Sequence, residues 1–177
     1  MLFYKYACEY VLGNIGINQL IDAAMECVSD GTESNNLYIL AGLSEKLNSW
    51  SEILLYYKLT LDELKLKEPT KIKAVEYLIE YYCKELMENK ILPEVFLNQI
   101  KETYYNTYNE SNGKYYLGIK EFMSIYYSID ELIEWKYEEN NLKNYNEIKN
   151  IDKKIENEYK LCYAAAKKYL DKNKEIV

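Results

Sequence analysis

The chain has 177 residues, with 22 Lys and no Arg, 29 acidic residues, no His, 4 Cys, 6 Gly, 2 Pro and 21 Tyr, and a net charge of −7. That is one domain's worth of chain, long enough to bury a core. The missing imidazole removes the usual general base, the usual zinc ligand and the Ser-His or Cys-His nucleophile pair, and the missing guanidinium removes the bidentate fork that phosphate recognition favours. Lys, Asn, Ile and Tyr are all abundant, as A/T-rich coding would produce, so Lys in place of Arg means less than the lack of His. The acidic balance argues against nucleic acid and anionic membranes, whose affinity comes from cationic side chains, and points to a basic partner. Cys8, Cys27, Cys83 and Cys162 are scattered without a C-x-x-C pair, and Met1 to Gly13 has no signal-like apolar core. Both features fit a reducing, cytoplasmic setting. The longest apolar run, Leu37 to Leu43, has seven residues, well short of the roughly 18 needed for a membrane span.

Taken in order, a short aromatic segment over Leu2 to Leu12 precedes a break at Gly13-Asn14-Ile15-Gly16. Asn18 then looks like the cap of a second helix carrying Leu20, Ile21, Ala24 and Val28. Asp30-Gly31 ends it, and the run Leu37 to Leu43 reads as a short buried helix. Ser49 with Glu52 has capping-box spacing, opening a helix with Ile53, Tyr57, Leu61 and Leu64 on one side. Pro69 and Pro93 suit the first turns of the next two helices, with stripes Ile72, Val75, Ile79, Tyr82, Leu86 and Phe96, Ile100, Tyr104. After a loop at Asn109 to Gly113, a helix is expected over Tyr115 to Glu139, with Ser128 as the alternative breaking point. Ile148, Ile151, Ile155, Tyr159, Cys162, Ala166 and Tyr169 mark a last long helix over 146–172. The expected fold is all-α, a single irregular multi-helix bundle of about seven or eight helices. One helical domain spans 1–177, with its core in 18–139.

No constellation of catalytic or metal-binding type stands out. Without His the Glu-x-x-His motif of bundle di-metal sites is impossible, and Glu76 and Glu80 read as a solvated face with Lys84 one turn on. The cysteines have no activating partner visible in the sequence. Tyrosine doublets such as Tyr56-Tyr57 and Tyr126-Tyr127 place one ring towards the core and the next, about 100° round, at the rim. Rim tyrosines suit protein interfaces.

Charge is uneven along the chain: residues 1–142 carry 13 Lys against 23 acids, whereas 143–174 carry 9 Lys against 5. Within Glu121 to Glu139 there are six acids and one Lys. Helical spacing sets Tyr127, Glu131, Glu134 and Glu138 opposite Phe122, Ile125, Ile129 and Leu132, which gives one core face and one acidic, tyrosine-flanked face. The candidate partner-binding residues are therefore Tyr126, Tyr127, Asp130, Glu131, Glu134 and Glu138. An ordinary solvated face is the competing explanation.

The stretch Asp30 to Leu43, ending Leu40-Ala41-Gly42-Leu43, resembles a "D-S-x-x-L-x-x-L-A-G-L" signature in a family of small acidic helical bacterial proteins. Glu52 to Leu66 is similar to that family's next helix with its "L-x-E-L" ending, here Leu61-Asp62-Glu63-Leu64. Ala74 to Pro93 resembles the helix after it and a "G-x-I-x-P" turn, with Asn89-Lys90 where Gly is common. Such families look like the immunity proteins encoded beside bacterial toxins, including those of contact-dependent inhibition systems. The resemblance implies a non-enzymatic inhibitor that binds and blocks a cognate toxin, with a basic nuclease domain as the suspected partner. No cofactor, metal, nucleic acid or membrane is expected, and the site of action is the cytoplasm. A non-catalytic helical adaptor in a defence or regulatory assembly is the alternative.

Overall fold

The computed structural model describes residues 1–44, 46–108, 116–138 and 145–174. Among them are eight α-helices and no strand, so the fold is all-α. In chain order they are α1 (Leu2–Leu12), α2 (Gln19–Ser29), α3 (Asn35–Gly42), α4 (Trp50–Glu63), α5 (Lys71–Met87), α6 (Pro93–Tyr108), α7 (Tyr116–Glu138) and α8 (Tyr145–Lys174). The loop expected at Asn109 to Gly113 lies outside the described residues. By density of contacts the chain forms two compact units, Met1–Leu78 and Ile79–Val177, and the boundary falls within α5.

In the first unit α2 packs against α1, α3 and α4, and Phe3, Leu20, Ala24, Leu37, Leu40, Ile53 and Tyr57 are fully buried. The α3 run is less buried than its composition suggests: Leu37 and Leu40 are fully buried and Ala41 and Leu43 pack partly against the core, while Tyr38 and Ile39 stay exposed. An eight-residue helix has only two turns, and neighbours on two sides cannot cover its whole circumference. Asn18 stands at the start of α2, yet its own backbone is helical (φ −68°, ψ −33°) and its side chain makes no cap. A capping side chain needs an extended backbone to reach the next turn. Ser34 and Ser49 have that backbone, and their hydroxyls accept from Leu37 N–H at 3.1 Å and Glu52 N–H at 3.3 Å.

The N-terminus of α3 is held by a carboxylate from another helix. Glu63, the last residue of α4, accepts from Asn35 N–H at 2.9 Å, Asn36 N–H at 3.0 Å, Ser34 Oγ at 2.8 Å and Asn36 Nδ2 at 2.7 Å. Two stretches singled out in the sequence, Asp30 to Leu43 and Leu61 to Leu64, thus meet through one side chain. Such a short helix would not persist alone, and a carboxylate at its N-terminus satisfies open N–H groups and opposes the positive end of its dipole. Those donors hold the Glu63 carboxyl at about 2 against an ordinary value of 4.5. A depressed folded value stabilises the fold above the unfolded value and loses that contribution as pH falls. The first unit should therefore weaken between pH 4.5 and 2. Glu63→Gln should lower stability at neutral pH and flatten that acid limb; parallel pH profiles for the two proteins in thermal melts would exclude the clamp.

Four helices end in the same way. Gly13 (φ 78°), Gly31 (φ 85°), Lys65 (φ 55°) and Asn89 (φ 56°) each turn left-handed, which lets the next N–H reach back five residues, as in Asn14 N–H to Glu9 at 2.9 Å. Lys90 N–H reaches Glu85 at 2.9 Å in the same way, so Asn89 performs the turn for which Gly is common. Any Cβ crowds the following carbonyl there, and Asn offsets that cost with a short side chain that can hydrogen-bond its own backbone, whereas Lys has no such compensation. Lys65→Gly should accordingly raise the melting temperature, with a gain of about 1 kcal/mol; an unchanged or lowered temperature would show that the site carries no strain.

In the second unit α6, α7 and α8 pack against one another. Phe122 lies at the centre, its ring centroid 5.1 Å from Phe96 in an edge-on arrangement and 6.3 Å from Tyr169. Ile100, Ile119, Cys162 and Ala166 are also fully buried in this unit. The buried face of α5 runs through Ala74, Val75, Leu78, Ile79, Tyr82, Cys83 and Leu86, whereas Ile72, which the stripe in the sequence included, is 48% exposed. α7 continues through Ser128 without a break. α8 has 30 residues, and at the helical rise spans about 45 Å.

Candidate protein-binding surface

The uninterrupted course of α7 fixes the direction of each candidate residue. Tyr127, Glu131 and Glu134 are exposed, while Phe122, Ile125 and Ile129 are buried, as helical spacing dictates. Leu132 is half-buried. Glu138 is the last residue of α7, and its side chain lies outside the described residues.

The six candidates do not all share one face. Tyr126 turns towards α6, where its hydroxyl accepts from Lys101 Nζ at 3.2 Å and the ammonium lies 5.0 Å from its ring centroid. Asp130, one turn on, lines the same cleft between α6 and α7. The Tyr127 hydroxyl meets that of Tyr105 at 2.9 Å. Glu131 points the other way, into a groove between α7 and α8 that also holds Trp135 and Lys154.

Part of the charge of α7 is neutralised by α8 or spent within the pair. Lys168 binds Glu121 at 2.9 Å, and Lys136 of α7 binds Asp152 at 2.6 Å. Lys154 lies 5.5 Å from the Trp135 ring. Among the described residues no ion pair engages Asp130, Glu131 or Glu134. None of the three is therefore neutralised by an ion pair among those residues, although Glu131 shares its groove with Lys154.

Reading α7 as two faces missed the exposed apolar side chains beside the acids. Trp135 is 47% exposed, Tyr137 68% and Ile133 37%. Val95 and Tyr105 on α6 are also exposed, off the buried stripe of that helix. Their position off the stripe was the available signal. Exposed large aromatic side chains are the part of this surface that resembles the composition of protein interfaces.

The reactive side chains elsewhere are quiescent. Burial pushes the thiols of Cys8, Cys27, Cys83 and Cys162 up to about 12, so they persist as thiols and pack as small apolar groups. Tyr6 donates to Glu26 and its phenol is raised well above the ordinary range, chiefly by burial. Among the described residues no three or more Cys, Asp or Glu side chains are placed to share a metal ion, and no helix is long and apolar enough to cross a membrane. These features place the chain in the class of all-α proteins with an exposed acidic and aromatic helix face. No family model, curated protein or solved structure matches it.

Proposed function

We propose that the chain is a toxin-neutralising immunity protein, which binds and blocks a cognate bacterial toxin with a basic, nuclease-type domain in the cytoplasm of the cell that makes it. The observation that carries this reading is the exposed face of α7, where Glu131 and Glu134 stand without ion-pair partners between Tyr127 and Trp135. Open carboxylates accelerate encounter with a cationic surface and fix its register, and the aromatic rings supply contact area at low entropic cost. Covering a nuclease's substrate surface requires no catalytic group on the inhibitor. The resemblance of Asp30 to Leu43 and Leu61 to Leu64 to immunity proteins agrees with this independently.

Co-expression with the product of the adjacent reading frame tests it. Restored growth and a complex that survives gel filtration are the expected results. Unrelieved toxicity, or an adjacent product without toxicity, would overturn the reading. The adaptor alternative has its own support in the first unit, where Tyr38, Ile39 and Trp50 are exposed on α3 and α4. An adaptor would hold two different proteins at once, which the same gel filtration distinguishes.

A further inference from the structure

The cleft between α6 and α7, closed at one side by Tyr159 of α8, has a volume of about 310 Å³. Two stripes of i, i+3, i+4 spacing face each other across it: Glu94, Leu97 and Asn98 on α6, and Tyr126, Ile129, Asp130 and Ile133 on α7. Leu97 and Ile129 are buried and form the floor, while Val95 and Ile133 stand partly exposed at the rim. Tyr126 and Tyr159 add half-buried rings. Burial, followed by the negative charge of Glu94, raises the Tyr159 phenol, which keeps it neutral.

The carboxylates are the unusual part. Glu94 and Asp130 come from different helices into one small cleft, and neither has an ion-pair or hydrogen-bond partner. Glu94 sits in the first turn of α6, where its charge suits the helix dipole, but that role leaves its oxygens open. Lys101, which meets the Tyr126 wall, is committed to the ring and hydroxyl of that residue. It shows that this aromatic wall accepts a cation, yet it reaches neither acid. Apolar walls, aromatic faces and two open carboxylates together match a long side chain with an apolar stem and a flat, multiply donating cationic head.

We propose that the α6/α7 cleft is an anchoring pocket for an arginine side chain presented by a protein partner. Its stem would lie against Val95 and Ile133, and its guanidinium would lie between Glu94 and Asp130. The proposal rests on the protein-binding reading above and assigns Tyr126 and Asp130 a task separate from that of Glu131 and Glu134. It also supplies the guanidinium that this chain, with no Arg of its own, lacks.

The test uses the full chain and a defined probe. N-acetyl-arginine-amide is titrated while the methyl signals of Val95 and Ile133 are followed by NMR, with N-acetyl-citrulline-amide as the neutral isostere. Expected are saturable shifts for arginine, little response to citrulline, and affinity reduced about fivefold or more in a Glu94→Gln/Asp130→Asn variant of unchanged melting temperature. Equal shifts with citrulline, no shifts at all, or shifts that survive in the variant would overturn the pocket. The citrulline comparison needs no variant, so a folding defect cannot obscure the result. A chain that binds the arginine probe but fails to rescue toxin-expressing cells would keep the pocket and lose the toxin reading, so the two failures are distinguishable.

Discussion

Phe122→Ala should destabilise the second unit by about 3 to 5 kcal/mol. The side chain is 1% exposed, and its ring is the hub between Phe96 of α6 and Tyr169 of α8. Truncation removes the transfer energy of a buried ring, forfeits two aromatic contacts, and leaves a cavity that three rigid helices cannot close. Denaturant unfolding followed by far-UV circular dichroism measures the loss. A change below about 1 kcal/mol would mean that the three helices do not share this core. The variant also separates fold from surface, because Phe122 lies opposite the exposed face of α7. Partner binding should survive where the protein remains folded.

If the proposed basic partner docks on this face, charge reversal at Glu131 and Glu134 together should slow its association about tenfold or more at low salt and flatten the dependence on ionic strength. Both side chains are exposed and no ion pair holds either, so no ion pair among the described residues is broken. Surface changes of this kind stay within about 0.5 kcal/mol in stability. The new lysine at position 131 would face Lys154 across the α7/α8 groove, which adds local repulsion to the lost attraction. Stopped-flow association at several salt concentrations is the measurement. Unchanged rates at low ionic strength would remove this face from the contact.

Most of the helices were legible because their signals are local. Pro93 opens α6, Ser49 caps α4, and the apolar spacing from Ile148 to Tyr169 marks α8. Tertiary relations were not legible. Glu63 reaches α3 across 27 to 29 residues, and no local pattern distinguishes it from neighbouring acids such as Asp62. Ser34, not a residue within the apolar run, defines where α3 begins. The α5 stripe holds at Val75, Ile79, Tyr82 and Leu86 and fails only at its first position, because Ile72 is more hydrophobic than Ala74, although Ala74 is the buried residue.

The candidate surface divides along the same line. Periodicity alone put Tyr127, Glu131 and Glu134 outward, since α7 obeys ordinary helical geometry throughout. It could not show that Tyr126 and Asp130 look across at α6, because the cleft requires Glu94 from 36 positions earlier and Tyr159 from 29 later than Asp130. Residues adjacent in sequence therefore serve different surroundings, and only packing against a second helix separates them.

The two tryptophans fall one to each unit, Trp50 at the start of α4 and Trp135 in the α7/α8 groove. In a Trp50→Phe protein all indole emission would come from a single position beside Glu131 and Glu134. Fluorescence quenching or a spectral shift on adding a ligand would then report events at that helix alone, without any attached dye.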